Sequence, residues 1–176
     1  MSVNEWNENK FTFKIVEKFE EPLYTRLTTE YLGASYPWQD ILSEAEEANR
    51  KKLEEQTKGL ELRLAVYDRD KLAALSYGLQ TSSANFLMGI SLVLPEYRRQ
   101  GLYTLMLKSV IKFTNENGFQ TITSHHKPSN PAILIAKLKA GFVISGIDMS
   151  DMMGTLVRLT YFHSEKRKSI FKHKVN

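Results

Sequence analysis

The sequence predicts a domain of the α/β class, α+β in type, with a mixed and mainly antiparallel central sheet flanked by helices. The apolar periodicity changes along the chain in the order β, α, α, β, β, β, α, β, α, β, β. Short turns between consecutive strands are typical of antiparallel hairpins, whereas a strand–helix–strand unit is typical of a parallel pair. With 176 residues, 42% of them hydrophobic, the chain fills one core. We therefore expect one domain over residues 1–162 and a basic tail over residues 163–176.

The first third of the chain predicts one strand and two helices. Residues 11–15 alternate between apolar and polar, which is the period of a strand with one buried face. Residues 22–32 predict a helix, and a turn-forming run with two aromatic residues follows at 33–38. That run is a candidate substrate contact, or its aromatic residues close an edge of the core. A capping box from Ser43 begins a charged surface helix that ends at Gly59.

The middle of the chain predicts three consecutive strands. Residues 60–67 and 72–79 are strand-like runs separated by a polar turn, so they predict a hairpin. Residues 86–94 are almost continuously apolar, which is typical of a strand buried on both faces in the centre of a sheet. Pro95 ends this strand because proline lacks the amide donor that a central ladder needs.

The last third predicts two helices and three strands. The helix predicted over 102–118 has apolar residues at helical spacing and closes with a glycine. A strand is predicted at 119–124, and an Asn-Pro pair begins the helix predicted over 130–141. Two final strands, at 142–149 and 156–162, enclose a turn.

Composition excludes several classes of protein. The chain has no cysteine, so disulfides and thiolate metal sites are excluded and the reducing cytoplasm is the expected compartment. No run approaches the roughly 20 apolar residues of a membrane span, so no membrane partner is expected. The net charge of +4 resides in residues 163–176, with five basic residues and one acidic residue. The remainder is neutral, which disfavours a nucleic-acid groove. The tail is then solvated, or it binds RNA, an anionic surface or an acidic partner.

The stretch from Val93 to Thr104 has the composition of an anion-binding loop. It places Arg98, Arg99 and Gly101 between a buried strand and the start of a helix. Amides at a helix start have no intrahelical acceptor, and the helix dipole favours negative charge there. A pyrophosphate would fit this loop, although many strand-to-helix turns of this composition hold no ligand.

The same stretch resembles the acyl-coenzyme A binding loop of the GNAT acetyltransferases. The family signature is Arg/Gln-x-x-Gly-x-Gly/Ala after a Val-x-Pro-x-Tyr-Arg-like lead. Here Arg98-x-x-Gly101-x-Tyr103 follows Val-Leu-Pro-Glu-Tyr at 93–97. Tyr103 departs from the family, which keeps a small residue at this position. Asn130, followed eleven and twelve residues later by Gly-Phe, resembles the second cofactor element of the family.

The resemblance implies a GNAT fold with acetyl-coenzyme A (acetyl-CoA) as acyl donor. The cofactor would lie in a V-shaped gap between the strand that ends near Val93 and the strand that ends near Ser124. The pantetheine arm would pair with main-chain groups at the first of these strand ends, and the amides of the loop would bind the pyrophosphate. The implied cofactor-binding residues are Val93, Leu94, Arg98, Arg99, Gln100, Gly101, Leu102, Tyr103, Thr104 and Asn130.

The resemblance also identifies candidates for proton transfer. Many relatives have a tyrosine as general acid where this chain has Lys137, which would contact cofactor phosphates, be solvated or, in an unusual environment, donate a proton. Some relatives carry a glutamate base where this chain has His125, with His126 beside it. A histidine base suits neutral pH, whereas the alternative is a polar strand end. Alternation along the strand lets only one of the pair face the cleft. No third ligand lies at metal-binding spacing, so no metal is expected.

Together these features predict an N-acetyltransferase that moves an acetyl group from acetyl-CoA to a primary amine. The alternative is a GNAT-like domain that binds acyl-CoA with little or no turnover, motivated by Lys137 and Tyr103. The sequence leaves open the acceptor (small molecule or peptide), the acyl length, the general acid and the oligomeric state, a homodimer included. Asp148, near the last hairpin, is expected to be a solvated turn residue.

Overall fold

The computed structural model of the chain describes residues 4–32, 42–151 and 153–175. Within these ranges, eight strands form one sheet in the order β1-β2-β3-β4-β5-β6-β8-β7. The strands are β1 (Glu5–Glu8), β2 (Phe11–Ile15), β3 (Glu61–Asp68), β4 (Lys71–Gln80), β5 (Asn85–Val93), β6 (Thr121–His126), β7 (Val143–Ser150) and β8 (Gly154–Phe162). Neighbouring strands pair antiparallel except β5 and β6, which are parallel. The predicted fold class is therefore confirmed.

Helices cover both faces of this sheet. They are α1 (Leu23–Leu32), α2 (Glu44–Gln56), α3 (Leu102–Glu116), α4 (Pro131–Lys139) and α5 (Glu165–Val175), and a 3-10 turn (Pro95–Tyr97) joins β5 to α3. The predicted capping box at Ser43 is present, because its N–H donates to Glu46 Oε2 over 2.9 Å and its Oγ accepts from the Glu46 amide. No helix in the described ranges has the length and apolar character needed to cross a membrane.

The two faces of the sheet bury separate apolar clusters. On one face, Phe13 and Phe86 of the sheet pack in the same cluster as Met106 of α3, and all three are at most 1% exposed. On the other face, Leu75 and Leu92 of the sheet cluster with Leu27 of α1. Because side chains alternate along a strand, each central strand contributes to both clusters. A residue in the centre of the sheet therefore points either to the α3 face or to the α1 face.

The parallel strands β5 and β6 separate along their length. Asn85–Leu87 of β5 pairs with Thr121–Thr123 of β6, and the ladder stops there. Beyond that point β5 stays paired with β4 as far as Val93, and β6 stays paired with β8 as far as His126. The two strands therefore leave an open gap between their C-terminal ends, as the V-shaped arrangement requires.

A β-bulge lies on β5 at the start of this gap. Tyr77 of β4 pairs with Ile90, whereas the next residue, Gly78, pairs with Met88, so Gly89 has no partner on β4. A bulge bends the strand that carries it. Here it bends β5 next to the last rung that β5 shares with β6.

The C-terminal segment differs from the expected tail. Residues 165–175 form α5, which rests on β8 through the rings of Phe171 and Phe162, 5.4 Å apart. Arg167 Nη1 donates to Gln120 Oε1 over 3.0 Å. The segment is therefore a helix that packs on the sheet. Strand β1 was also not predicted, and the aromatic run at 33–38 lies outside the described residues.

Candidate active site

The loop between β5 and α3 leaves a run of backbone amides without acceptors. Arg99 (φ 60°) and Gly101 (φ 77°) both have positive φ, so the chain turns sharply before α3. The first amide of α3 to bond a backbone carbonyl is that of Leu105, which donates to the Gly101 oxygen over 3.1 Å. The amides of residues 99–104 donate to no acceptor in the described part of the chain. They lie at the positive end of a 15-residue helix, which is an arrangement that suits an anion.

The polar side chains of the loop hold the turn in place. Arg98 Nε donates to the Val93 carbonyl over 3.1 Å, and Gln100 Nε2 donates to the Glu96 carbonyl over 2.9 Å. The amide of Leu94 donates to Ala73 on β4 over 3.0 Å, and its carbonyl accepts from the Tyr97 amide over 2.9 Å, so both of its main-chain groups are already bonded. A ligand arm beside the end of β5 would therefore compete with Arg98 for the Val93 carbonyl.

Tyr103 packs against the core on the α3 face. Its ring contacts the main apolar cluster, and its Oη is buried without a hydrogen-bond partner among the described residues. Burial raises the pKa of the Tyr103 phenol, which stays protonated. The neighbouring Leu102 is 1% exposed, so it has only backbone to offer a ligand. The departure from a small residue thus places a large ring in the core beside the loop.

Lys137 lies where β5 and β6 separate. Its side chain is directed inward from α4 and is 1% exposed. Nζ lies 2.8 Å from Ser124 Oγ and 3.2 Å from Met88 Sδ, and 4.4 Å from the centroid of the Phe142 ring. Met88 on β5 and Ser124 on β6 are the first residues after the last pair of the parallel β5–β6 ladder. The expectation that Lys137 is solvated is therefore wrong, whereas its contact with cofactor phosphates stays a prediction.

The surroundings of Lys137 disfavour its charge. Burial lowers the pKa of the Lys137 amine to about 7 because desolvation penalises the ammonium form. No carboxylate forms a salt bridge with Lys137 among the described residues. Lys137 therefore exchanges a proton near neutral pH.

His126 belongs to the same buried group. Its Nε2 lies 3.2 Å from Ser124 Oγ, two residues earlier on the same face of β6. Burial, followed by the positive charges of Lys137 and His125, lowers the pKa of His126 to about 4. His126, Ser124 and Lys137, which we call the buried triad, form a chain of hydrogen-bonding groups on the α3 face.

His125 points to the opposite face, where it meets charged residues. Its Nε2 lies 3.0 Å from Asp148 Oδ2, and the two side chains are 33% and 35% exposed. Arg158 Nη1 lies 3.5 Å from the other oxygen of Asp148. A Cβ at Gly146 would lie 2.6 Å from Arg158 Nη2, so glycine leaves room for the guanidinium. We call His125, Asp148 and Arg158 the charged triad.

Asp148 therefore does more than solvate a turn. It lies within β7, and β8 runs between β7 and β6. His125 is paired with Arg158 in the β6–β8 register, which brings the carboxylate of the next strand within reach. The candidate base thus has a carboxylate as its direct neighbour.

Asn130 caps α4. Its Oδ1 accepts from the Ile133 amide at 3.5 Å, a long cap contact, and Pro131 occupies the first helical position. Its backbone amide donates to the Lys127 carbonyl over 3.0 Å, whereas its side-chain Nδ2 makes no hydrogen bond with a described residue and is therefore free to donate to a ligand.

A cavity of about 350 Å³ opens on the α1 face at the end of β5. Leu94 and Glu96 line it from the loop side, and Glu30 and Arg26 line it from α1. Lys71 completes its charged lining. The cavity therefore has room for a small polar molecule on the same face as the charged triad.

The chain matches one known family in sequence. A family profile described as an acetyltransferase (GNAT) domain matches residues 14–143, which include the whole of the loop, the gap and both histidines. No curated protein matches the chain.

Solved structures with the same fold include several acetyltransferases. Spermidine N-acetyltransferase from Vibrio cholerae, in complex with CoA and spermine, has a TM-score of 0.65 and 16% identity, covering 89% of this chain and 97% of that one. The ribosomal-protein-S18-alanine N-acetyltransferase from Escherichia coli has a TM-score of 0.60 and 20% identity over 88% and 94%. A GNAT family acetyltransferase from Elizabethkingia anophelis with acetyl-CoA bound has a TM-score of 0.63 and 15% identity over 88% and 99%. At these identities the likeness shows the fold.

Proposed function

The chain belongs to the GNAT acetyltransferase family and is an acyltransferase enzyme, and we propose that it transfers an acetyl group from acetyl-CoA to a primary amine. The observation that carries the proposal is the run of unbonded amides at 99–104 beside the open end of the β5–β6 gap. A phosphate at the loop and an extended arm in the gap would together satisfy both features. We also propose a cytoplasmic location, which suits a chain without cysteine.

In the proposed complex, the loop binds the pyrophosphate and the strand end binds the arm. The amides of residues 99–104 donate to phosphate oxygens, and Arg99 adds positive charge. The carbonyl of Val93, now held by Arg98, accepts from an amide of the arm instead. That exchange releases the Arg98 guanidinium to neutralise phosphate charge. Asn130 donates to the arm from the other side of the gap.

The charged triad lies on the acceptor side of the proposed site. His125 removes a proton from the acceptor ammonium, and the free amine then attacks the thioester carbonyl carbon. Asp148 stabilises the imidazolium that results. The carbon–nitrogen bond forms as the carbon–sulfur bond breaks, the electron pair leaves on sulfur as the CoA thiolate, and the nitrogen of the new amide releases its second proton to water.

The cavity at the end of β5 is the proposed acceptor pocket. Glu30 and Glu96 balance Arg26 and Lys71 around it, so the lining carries both signs of charge. Such a lining suits an amine that also bears acidic or polar groups, such as an amino acid or a peptide terminus, better than a polycation. The solved neighbours are named for both kinds of amine, a ribosomal-protein alanine and the polycation spermidine.

A thermal melt with and without acetyl-CoA tests the cofactor. A ligand at about 100 times its dissociation constant stabilises the folded state by about 2.7 kcal/mol. For a chain of this length that corresponds to a rise of about 5 to 11 °C. NAD, which shares the pyrophosphate but lacks the pantetheine arm, is the matched control ligand and should give a smaller rise. The absence of any shift at millimolar acetyl-CoA would contradict the proposal.

The alternative function is acyl-CoA binding with little turnover. Two observations favour it: the buried ring of Tyr103 beside the loop, and Lys137 where relatives carry a tyrosine. Release of CoA thiol in the presence of amino acids, peptides and polyamines separates the two functions. A thermal shift with acetyl-CoA but no thiol release above the rate of hydrolysis, across all three amine classes, would establish the binding function.

A further inference from the structure

Lys137 is a buried amine that the proposed reaction has not yet used. Its side chain is 1% exposed, and its three contacts are a hydroxyl, a thioether and an aromatic ring. All three stabilise an ammonium weakly, and none carries negative charge. A buried charge without a partner costs several kcal/mol, so a lysine that serves only packing would be replaced at a gain in stability by an apolar residue of similar size.

Lys137 also lies at a defined place between the two parallel strands. Nζ bridges Met88 on β5 and Ser124 on β6, which are the first residues beyond the last rung of the parallel ladder. It therefore occupies the apex of the gap, where the two strands begin to separate. On the proposed function, on which this inference rests, the pantetheine arm runs along the free edge of β5 towards that apex. The sulfur at the tip of the arm is then the part of the cofactor nearest to Nζ.

We propose that Lys137 donates a proton to the CoA thiolate as it leaves, and that Ser124 and His126 position the lysine and return its proton. When the carbon–sulfur bond breaks, the electron pair stays on sulfur, and a proton moves from Nζ to sulfur to give the thiol and a neutral amine. Ser124 Oγ accepts from Nζ over 2.8 Å, which directs its own hydroxyl proton to His126 Nε2 at 3.2 Å. Once Nζ is neutral, the two hydrogen bonds reverse: Ser124 gives its hydroxyl proton to Nζ and takes one from His126, which takes a proton from solvent because it is partly exposed.

The direction of proton transfer agrees with the environment of the amine. Burial lowers the pKa of Lys137 to about 7, below the value of about 8.5 that is usual for a thiol, so the transfer to sulfur is favourable. Among the described residues, His126 is the titratable side chain that interacts with Nζ. Burial keeps the imidazole of His126 neutral at pH 7. A solvated lysine, with a pKa near 10.5, would be a weaker donor to the same thiolate.

The first test compares CoA with desulfo-CoA, which lacks the thiol, by calorimetric binding to the unmodified enzyme. A sulfur in hydrogen-bond contact with Lys137 makes CoA bind about tenfold more tightly than desulfo-CoA. Equal affinities would overturn the assignment of Lys137. Failure of both compounds to bind would instead overturn the proposed function itself, so the two failures are distinguishable.

The second test uses Lys137→Met, which keeps the length of the side chain, and Lys139→Met on the exposed side of α4 as the matched control. We expect Lys137→Met to lower kcat between tenfold and a hundredfold with the KM for acetyl-CoA unchanged, and to abolish the preference for CoA over desulfo-CoA. Lys139→Met should change neither. An unchanged kcat in Lys137→Met would overturn the proposal. So would mass-spectrometric recovery of stoichiometric acetyl-Lys137 from the unmodified enzyme, because the amine would then be a nucleophile.

Discussion

The two faces of β6 give adjacent histidines opposite surroundings. On the α1 face, His125 is one-third exposed and lies against the carboxylate of Asp148. On the α3 face, His126 is packed beside Ser124 and the buried amine of Lys137. One imidazole lies beside a carboxylate, and burial holds the other neutral at pH 7. Strand alternation, with no difference in residue type, is therefore enough to give the two histidines the different surroundings on which the proposed roles of base and relay depend.

The same comparison divides the proposed chemistry in space. The charged triad lies on the same face of the sheet as the cavity proposed for the acceptor, whereas the buried triad lies at the apex of the gap proposed for the thiolate. The proposed removal and delivery of protons are therefore assigned to opposite faces of one strand. Four substitutions break or sharpen this division, and they follow in order of expected effect.

Removal of the exposed imidazole should have the largest effect. Loss of a general base typically lowers turnover between a hundredfold and ten thousandfold. We therefore expect His125→Ala to lower kcat at least a hundredfold at saturating acetyl-CoA, measured by thiol release, while the thermal shift with acetyl-CoA is retained. His173→Gln on the exposed surface of α5 is the control and should be silent. A fall of less than threefold in His125→Ala would make His125 a structural residue.

Removal of the buried amine should flatten the dependence of stability on pH. Because burial lowers the pKa of Lys137 from 10.5 to about 7, the unfolded chain binds a proton between these values that the folded chain does not. The free energy of unfolding therefore rises with pH in this window, by about 2 kcal/mol between pH 7 and pH 9. Urea denaturation should show this rise in the unmodified protein and in Lys139→Met, but not in Lys137→Met. A rise that persists in Lys137→Met would place its origin elsewhere.

Neutralising the acidic partner of the base should have a smaller effect than removing the base. Asp148→Asn removes the charge that stabilises the imidazolium of His125 but leaves the imidazole in place. We expect kcat to fall about tenfold, with the KM for acetyl-CoA unchanged. Asp148→Glu, which restores the carboxylate, should recover most of the loss. If Asn and Glu variants were equally impaired, the role of Asp148 would be packing within β7.

Substitution of the buried His126 should give the smallest effect, a change in the free energy of unfolding at acidic pH. Burial lowers the pKa of His126 from 6.5 to about 4, so the unfolded chain takes up a proton first as the pH falls through this range. The free energy of unfolding should fall by about 1 kcal/mol between pH 6.5 and pH 5, a value reduced for partial exposure. His126→Gln should lack this fall, and Lys137→Met should make it shallower because one positive neighbour is gone. An identical fall in His126→Gln would show that other groups cause it.

Most of the fold could be predicted from local patterns. The hairpin turns, the helix caps and the continuous apolar run of β5 each depend on a few consecutive residues, and all appear as predicted. Strand β1 was missed because Glu5–Glu8 is largely polar and half-exposed, with little apolar alternation to detect. Helix α5 was missed because it has no buried residue and its charge is typical of a solvated tail.

The parts of the site that depend on consecutive residues could be predicted, and the parts that depend on contacts between distant residues could not. The amide run at 99–104 follows from one loop motif, whereas the contact of His125 with Asp148 depends on β8 lying between their strands. The sequence contains a signal for the burial of Lys137, which is its position on the helix. Lys137 follows Leu134 at helical spacing on the inner face of α4, whereas the apolar residue next to it, Leu138, is 43% exposed. A lysine at an apolar helical position is therefore evidence of burial.

The docking of α5 gives the whole molecule a permanent electrical polarity. The five basic residues and one acidic residue of the last segment account for the entire net charge of +4. Because Phe171 packs on Phe162 and Arg167 bonds to Gln120, this charge is fixed at one place on the sheet. A positive charge fixed in this way turns the same end of the molecule towards any polyanion, so its collisions are oriented before they are specific.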